Sequence, residues 1–170
     1  EETLLKLADP APNYSDGFVN LAALYLRKQN PAKALEMAER ALKTNPNSYA
    51  ATFNKAEALT MRGSYNDALA SYVNAAYLRP DIASLHVGVA LAIRRVGGDE
   101  NQIMGYLQKA LQINPNEPSA HYEMGAIYLK KDMTDKAIQE FEAGLKGRPD
   151  FGPAVLNLSL AYQRKGEIST

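Results

Sequence analysis

The stretch Ala41-Leu42-Lys43-Thr44-Asn45-Pro46 returns three times in altered form, as Ala75-Ala76-Tyr77-Leu78-Arg79-Pro80, Ala110-Leu111-Gln112-Ile113-Asn114-Pro115 and Gly144-Leu145-Lys146-Gly147-Arg148-Pro149. With Pro12, these prolines are separated by 34, 34, 35 and 34 residues. Proline has no backbone N–H to donate and disfavours helical geometry in the residue before it, so each marks the end of a helix. A fixed period of this length is the signature of a repeat architecture, in which each unit buries its apolar face against the next.

Numbering each unit so that the proline is position 32 gives full units at 15–48, 49–82, 83–117 (one residue longer, near 98) and 118–151. Residues 152–170 supply the first helix of a fifth, truncated unit, and residues 1–14 read as the end of a preceding unit's second helix. Position 8 is small throughout (Ala22, Ala56, Ala90, Gly125, Ser159), as is position 27 (Ala41, Ala75, Ala110, Gly144). Small side chains let paired helices approach closely while bulkier neighbours fill the flanking grooves. Those neighbours stand at position 11 (Tyr25, Leu59, Ile93, Tyr128, Tyr162) and at position 24 (Tyr72, Leu107, Phe141), with Ala38 the exception. Turns are predicted at Gly63, Gly97-Gly98 and Gly166, and at Asn30-Pro31 as an N-cap followed by proline in the first helical position. Two departures stand out: Ile103 replaces alanine at position 20, which predicts altered packing in the third unit, and Lys55 replaces an apolar residue at position 7, where its stem is expected to be buried and its ammonium solvated.

This pattern resembles the tetratricopeptide repeat, a helix-turn-helix unit of 34 residues, over essentially the whole chain. The resemblance implies an all-α fold, a right-handed superhelical solenoid of antiparallel helix pairs, with positions 2, 5, 6, 9, 12 and 13 of each first helix lining a concave groove.

Composition narrows the function. The chain has 19 Lys+Arg against 19 Asp+Glu, which does not suit a nucleic-acid binder that must neutralise phosphates, and no nucleic-acid partner is expected. It has no cysteine, which removes disulfides, thiolate zinc sites and a cysteine nucleophile. No apolar run approaches a membrane span, so direct membrane insertion is not expected, and the first residues, Glu1-Glu2-Thr3-Leu4, lack signal-peptide character, as expected of a processed chain or a piece of a longer one. His86 and His121 both occupy position 4, one unit apart and too distant to share a metal; packing or hydrogen bonding is their expected role. Gly97-Gly98-Asp99 joins helix to helix and lacks the pattern of a phosphate loop. No catalytic residue, cofactor or metal is expected, and the chain reads as a non-enzyme.

The residues at the groove positions carry the functional expectation. Val19, Phe53, Val87, Leu91, Tyr122, Leu156 and Leu160 are apolar where the repeat core does not require it, and contiguous exposed apolar surface marks contact sites. Asn20, Asn54 and Asn157 recur at position 6, where an amide offers a donor and an acceptor to a peptide backbone. This resembles the asparagine ladder of some family members, whereas the residues of the carboxylate clamp found in chaperone-binding members are absent apart from Asn54. Arg27, Arg95, Lys130 and Arg164 close the first helices, as the helix dipole favours, and would form a basic rim. The expected function is a protein–protein interaction module that holds a peptide segment or helix of a partner protein. The alternatives are a scaffold that self-associates through its terminal helix, which exposes Leu156 and Leu160, and a non-catalytic targeting module of a longer enzyme.

Overall fold

The computed structural model describes residues 15–168, and the helix end expected within residues 1–14 lies outside them. Among the described residues there are nine helices and no strand: α1 (Ser15–Arg27), α2 (Pro31–Thr44), α3 (Tyr49–Met61), α4 (Tyr65–Leu78), α5 (Ala83–Arg95), α6 (Glu100–Ile113), α7 (Pro118–Lys130), α8 (Thr134–Gly147) and α9 (Gly152–Ile168). They form two compact units, one reaching to Pro80 and including Leu91–Asp99, the other comprising Asp81–Ala90 and Glu100 onward. The expected all-α array of helix pairs is what the chain adopts.

The recurring prolines act as read. Helices α2, α4, α6 and α8 each end two residues before Pro46, Pro80, Pro115 or Pro149. In each case the last N–H donates to the carbonyl of the small position-27 residue, from Asn45 to Ala41, Arg79 to Ala75, Asn114 to Ala110 and Arg148 to Gly144, at 2.8–3.1 Å. Two helix starts carry side-chain caps: the Asn30 side chain accepts from the Lys33 N–H ahead of Pro31, and Ser48 accepts from the Ala51 N–H.

The corner inside each pair repeats one device. Gln29, Gly63, Gly97 and Asp132 have φ of 55°, 80°, 73° and 57°. The following N–H, of Asn30, Ser64, Gly98 and Met133, bonds the carbonyl of Tyr25, Leu59, Ile93 and Tyr128 at 2.9–3.0 Å. This is a Schellman motif, which satisfies carbonyls left open at a helix end. Glycine was predicted at two of these corners; the other two hold side chains in the left-handed region. The turn expected at Gly166 is absent, because Gly166 lies within α9. Glycine permits a turn without requiring one, and a helix runs through it at a cost of about 1 kcal/mol relative to alanine.

In the first unit the core joins Phe18, Leu21, Ala22 and Tyr25 of α1 to Ala34, Met37, Ala38 and Ala41 of α2, with Ala51 and Ala58 of α3. In the second, Leu129 of α7, Ile138 and Phe141 of α8 and Ala161 of α9 cluster, with Tyr122, Tyr128 and Leu158 against them. Position 8 must be glycine in α7, since a Cβ on Gly125 would stand 2.6 Å from the Phe141 ring. Ile103 is buried. Lys55 lines a shallow cleft of about 300 Å3 with Leu42 and Pro46, and its ammonium reaches Glu39 at 3.5 Å. The histidines are structural: His86 is buried and stacks on Tyr106, while His121 places Nδ1 2.7 Å from Glu140 and Nε2 2.9 Å from the Pro115 carbonyl.

Candidate functional site

In the first unit, positions 5, 6 and 9 of α1 and α3 bring together Val19, Asn20, Ala23, Phe53, Asn54 and Glu57. Asn20 is exposed, and Val19 and Phe53 are half-buried. Phe53 rests edge-on against Tyr72 of α4, with ring centroids 5.7 Å apart. The hydroxyl of the buried Tyr72 donates to Glu57 Oε1. Burial, followed by the charge and hydrogen bond of Glu57, pushes this phenol far above its ordinary range. Sequence reasoning missed the Tyr72–Glu57 pair, although Glu57 is the one charged residue at position 9 and faces a position that is tyrosine in this unit alone.

Asn54 differs from Asn20. It is 7% exposed, and its Nδ2 donates to the Val19 carbonyl at 3.0 Å, across one repeat. One of the two N–H donors of this amide is therefore engaged within the chain. Leu91, half-buried, also belongs to this unit.

In the second unit, α7 and α9 present Tyr122, Ala126, Leu156, Asn157 and Leu160. Leu156 and Leu160 are 73% and 40% exposed. Tyr122 packs against Phe151 at 5.1 Å and Phe141 at 6.1 Å, and Asn157 Nδ2 lies 3.4 Å from its hydroxyl. Val87 does not belong to an accessible set: it is 4% exposed, within a wholly buried run from Leu85 to Ala90. That run of consecutive buried residues covers every face of the middle of α5, while Ser84, Arg94 and Arg95 toward its ends are exposed. Val155 and Tyr162 are 47% and 49% exposed; the Tyr162 hydroxyl donates to Glu142 Oε1 of α8, and the apolar packing of α9 runs through Leu158 and Ala161. Positions 4 and 11 face the second helix of their own pair, as Phe18 and Tyr25 face α2, and no helix follows α9 among the described residues.

The basic residues at the first-helix ends serve nearby groups. Arg164 Nη1 donates to the Leu129 carbonyl at 3.2 Å, at the C-terminus of α7, and lies 3.7 Å from Asp132. Lys130 and Lys131 reach Glu100 at 3.6 and 2.6 Å. The Lys131 hydrogen bond, with the charges of both lysines, holds the Glu100 carboxyl below its usual range. The Arg95 guanidinium sits over the Tyr65 ring at 5.8 Å. Arg27 is exposed. Among the described residues, no group of His, Asp and Glu is placed to hold a metal, and no helix is long and apolar enough to cross a membrane.

Such a fold, with apolar and amide side chains set along helix faces, defines a helical-repeat protein-interaction module. Two tetratricopeptide repeat models match residues 19–84 and 98–168, and the chain belongs to the tetratricopeptide repeat family. Its fold is shared with MamA (25% identity, TM-score 0.68, covering 86% of this chain and 85% of that one). YrrB, described as a TPR protein with an unusual peptide-binding site, is similar at 19% identity and TM-score 0.71, over 96% of this chain and 84% of that one. PilF of Pseudomonas aeruginosa is similar at 21% identity and TM-score 0.80, over 96% and 75%. No curated protein matches by sequence.

Proposed function

We propose that the chain binds a segment of a partner protein along the first-helix faces and performs no chemistry of its own. The observation that carries this reading is the exposure of Leu156 at 73% and Leu160 at 40%, beside the half-buried Tyr122 and Asn157, on helix positions that repeat in the first unit as Val19, Asn20 and Phe53. Apolar contact supplies the affinity, and amides supply the register. Asn20 offers an exposed amide to a peptide backbone, Asn54 a buried one already tied to Val19, and Asn157 lies at the rim of Tyr122. Arg27 and the 79%-exposed Lys130 side chain favour ligands with an acidic flank. The peptide-binding site described for YrrB supports this reading, since it belongs to a protein of the same fold.

The test is to pan a displayed library of short random peptides against the full chain and to titrate an enriched peptide by calorimetry. Enriched peptides should be apolar, and Leu156→Asp or Asn20→Ala should weaken binding by more than about 1 kcal/mol, roughly a factor of five or more. Both residues are exposed, so neither change disturbs the core. Unchanged affinity in both variants, or no enrichment, would sink the proposal. A concentration-dependent oligomer that Leu156→Asp abolishes would instead assign the α9 face to self-association.

A further inference from the structure

Each second helix exposes a line of residues at positions 18, 22, 25 and 29 of its unit, and on α4 that line is different in kind. On α2 it includes Glu36, Glu39 and Lys43; on α6, Gln108 and Gln112; on α8, Glu142 and Lys146. On α4 the line is Asn66, Ala70, Val73 and Tyr77, all exposed, with Val73 at 43% and Tyr77 at 82%. Tyr77 is the most exposed large hydrophobic side chain among the described residues. The repeat core asks nothing of these positions, since the buried side of α4 is Ala68, Tyr72, Ala75 and Ala76.

The spacing of the line, in steps of 4, 3 and 4 residues, reads the same in both directions. Two copies of α4 laid antiparallel about a twofold axis therefore bring the line onto itself. Ala70 meets Val73 of the second copy, and Asn66 meets Tyr77 of the second copy, each pairing occurring twice. Small against large at the centre lets the axes approach to about 8–10 Å, and an amide serves a phenol as donor or acceptor. Charge favours the same occupant. The line carries none, and the single charge in α4, Asp67, would lie roughly 13 Å along the axis from its counterpart, at 1.5 Å per residue. The same pairing on α2 would set Glu36 against Glu39 of the second copy, twice over. We propose that the outward line of α4 is a homotypic docking surface, on which a second copy of this chain binds antiparallel through Asn66, Ala70, Val73 and Tyr77.

The chain has no cysteine, so introduced ones report geometry cleanly. Sedimentation equilibrium of the full chain should show the mass rising with concentration from 18.6 kDa toward twice that value. Tyr77→Glu should weaken association at least tenfold, and Leu156→Asp should leave it unchanged. Under mild oxidation, an equimolar mixture of Asn66→Cys and Tyr77→Cys chains should give the mixed disulfide dimer. Tyr77→Cys alone should not cross-link, because the two copies of that residue lie about 16 Å apart along the axis, well beyond the reach of a disulfide. A monomer at every concentration would overturn the proposal. So would cross-linking of Tyr77→Cys alone in preference to the mixture, or association abolished by Leu156→Asp and indifferent to Tyr77→Glu.

Discussion

Replacing Gly63 by alanine isolates the role of the helix corners, because nothing but backbone conformation changes. At φ 80° the residue sits in the left-handed region, and a Cβ added there meets no atom within 4 Å. An L side chain in that region costs roughly 1–2 kcal/mol. The alanine recovers about 0.4–1 kcal/mol by restricting the unfolded chain, so the net loss is about 1 kcal/mol. Gln29, at the equivalent corner with φ 55°, is exposed, and Gln29→Gly runs the same terms in reverse for a gain of similar size. Asp132→Gly gains less, since aspartate tolerates this conformation better than glutamine and its side chain lies 3.7 Å from Arg164.

Urea titration followed by far-ultraviolet circular dichroism is the assay. With an m-value of about 2 kcal/mol/M, 1 kcal/mol moves the midpoint by about 0.5 M, downward for Gly63→Ala and upward for Gln29→Gly. Helical arrays need not unfold in one step, so amide exchange at Ser64 and Asn30, whose N–H groups close these corners, should move in the same directions. An unmoved midpoint for Gly63→Ala, or destabilisation by Gln29→Gly, would refute the argument that backbone conformation selects the corner residue.

Gly125→Ala should lower stability by about 1–3 kcal/mol in a thermal melt, because its Cβ would meet the fully buried Phe141 ring at 2.6 Å, whereas Gly105→Ala, with nothing within 4 Å of the new atom in mid-helix, should raise it by about 0.5–1 kcal/mol. Asn54→Ala should cost about 1–3 kcal/mol through loss of the buried bond to the Val19 carbonyl, and the exposed Asn20→Ala about 0.5 kcal/mol or less, a difference that the urea midpoint resolves. The raised phenol of Tyr72 binds its proton more tightly folded than unfolded, so the stability it contributes is complete below pH 10 and is lost as pH climbs from there toward the folded value. Tyr72→Phe should flatten the fall of the urea midpoint above pH 10, and an equally steep fall in that variant would contradict the assignment.

The period, the helix ends and the small-residue contacts were legible in the sequence because each is a backbone or volume constraint that restricts residue type wherever it recurs. Pro46, Pro80, Pro115 and Pro149 remove a donor, and Gly125 makes room for Phe141. Other features were hidden because several residue types satisfy the same physics. Gln29 and Asp132 adopt the conformation that Gly63 and Gly97 hold, at an energetic cost invisible in the residue names. Gly166 illustrates the converse, a residue permissive enough to sit in a helix interior. Val87 and Leu156 share position 5, yet one is buried and the other mostly solvated. Burial depends on neighbours distant in sequence, and a repeat position alone does not supply them.

The asparagines at position 6 show why the binding face is harder to read than the fold. Asn54 to the Val19 carbonyl, Asn157 to the Tyr122 hydroxyl and Arg164 to the Leu129 carbonyl each span 35 residues, from one first helix to the one before it. Side chains on the line proposed to face a ligand thus tie neighbouring repeats together. An amide selected to hold a peptide and one selected to hold a repeat occupy the same position with the same chemistry. Their difference lies in whether the amide is buried and already bonded within the chain. A loss of binding on replacing Asn54 or Tyr122 would therefore mix lost contact with a loosened scaffold, since Tyr122 also packs against Phe141 and Phe151. Asn20 and Leu156 carry no such internal duty in the geometry described, so their effects on a ligand measure the face itself, while the Asn54 and Tyr122 variants measure how far that face depends on the joint beneath it.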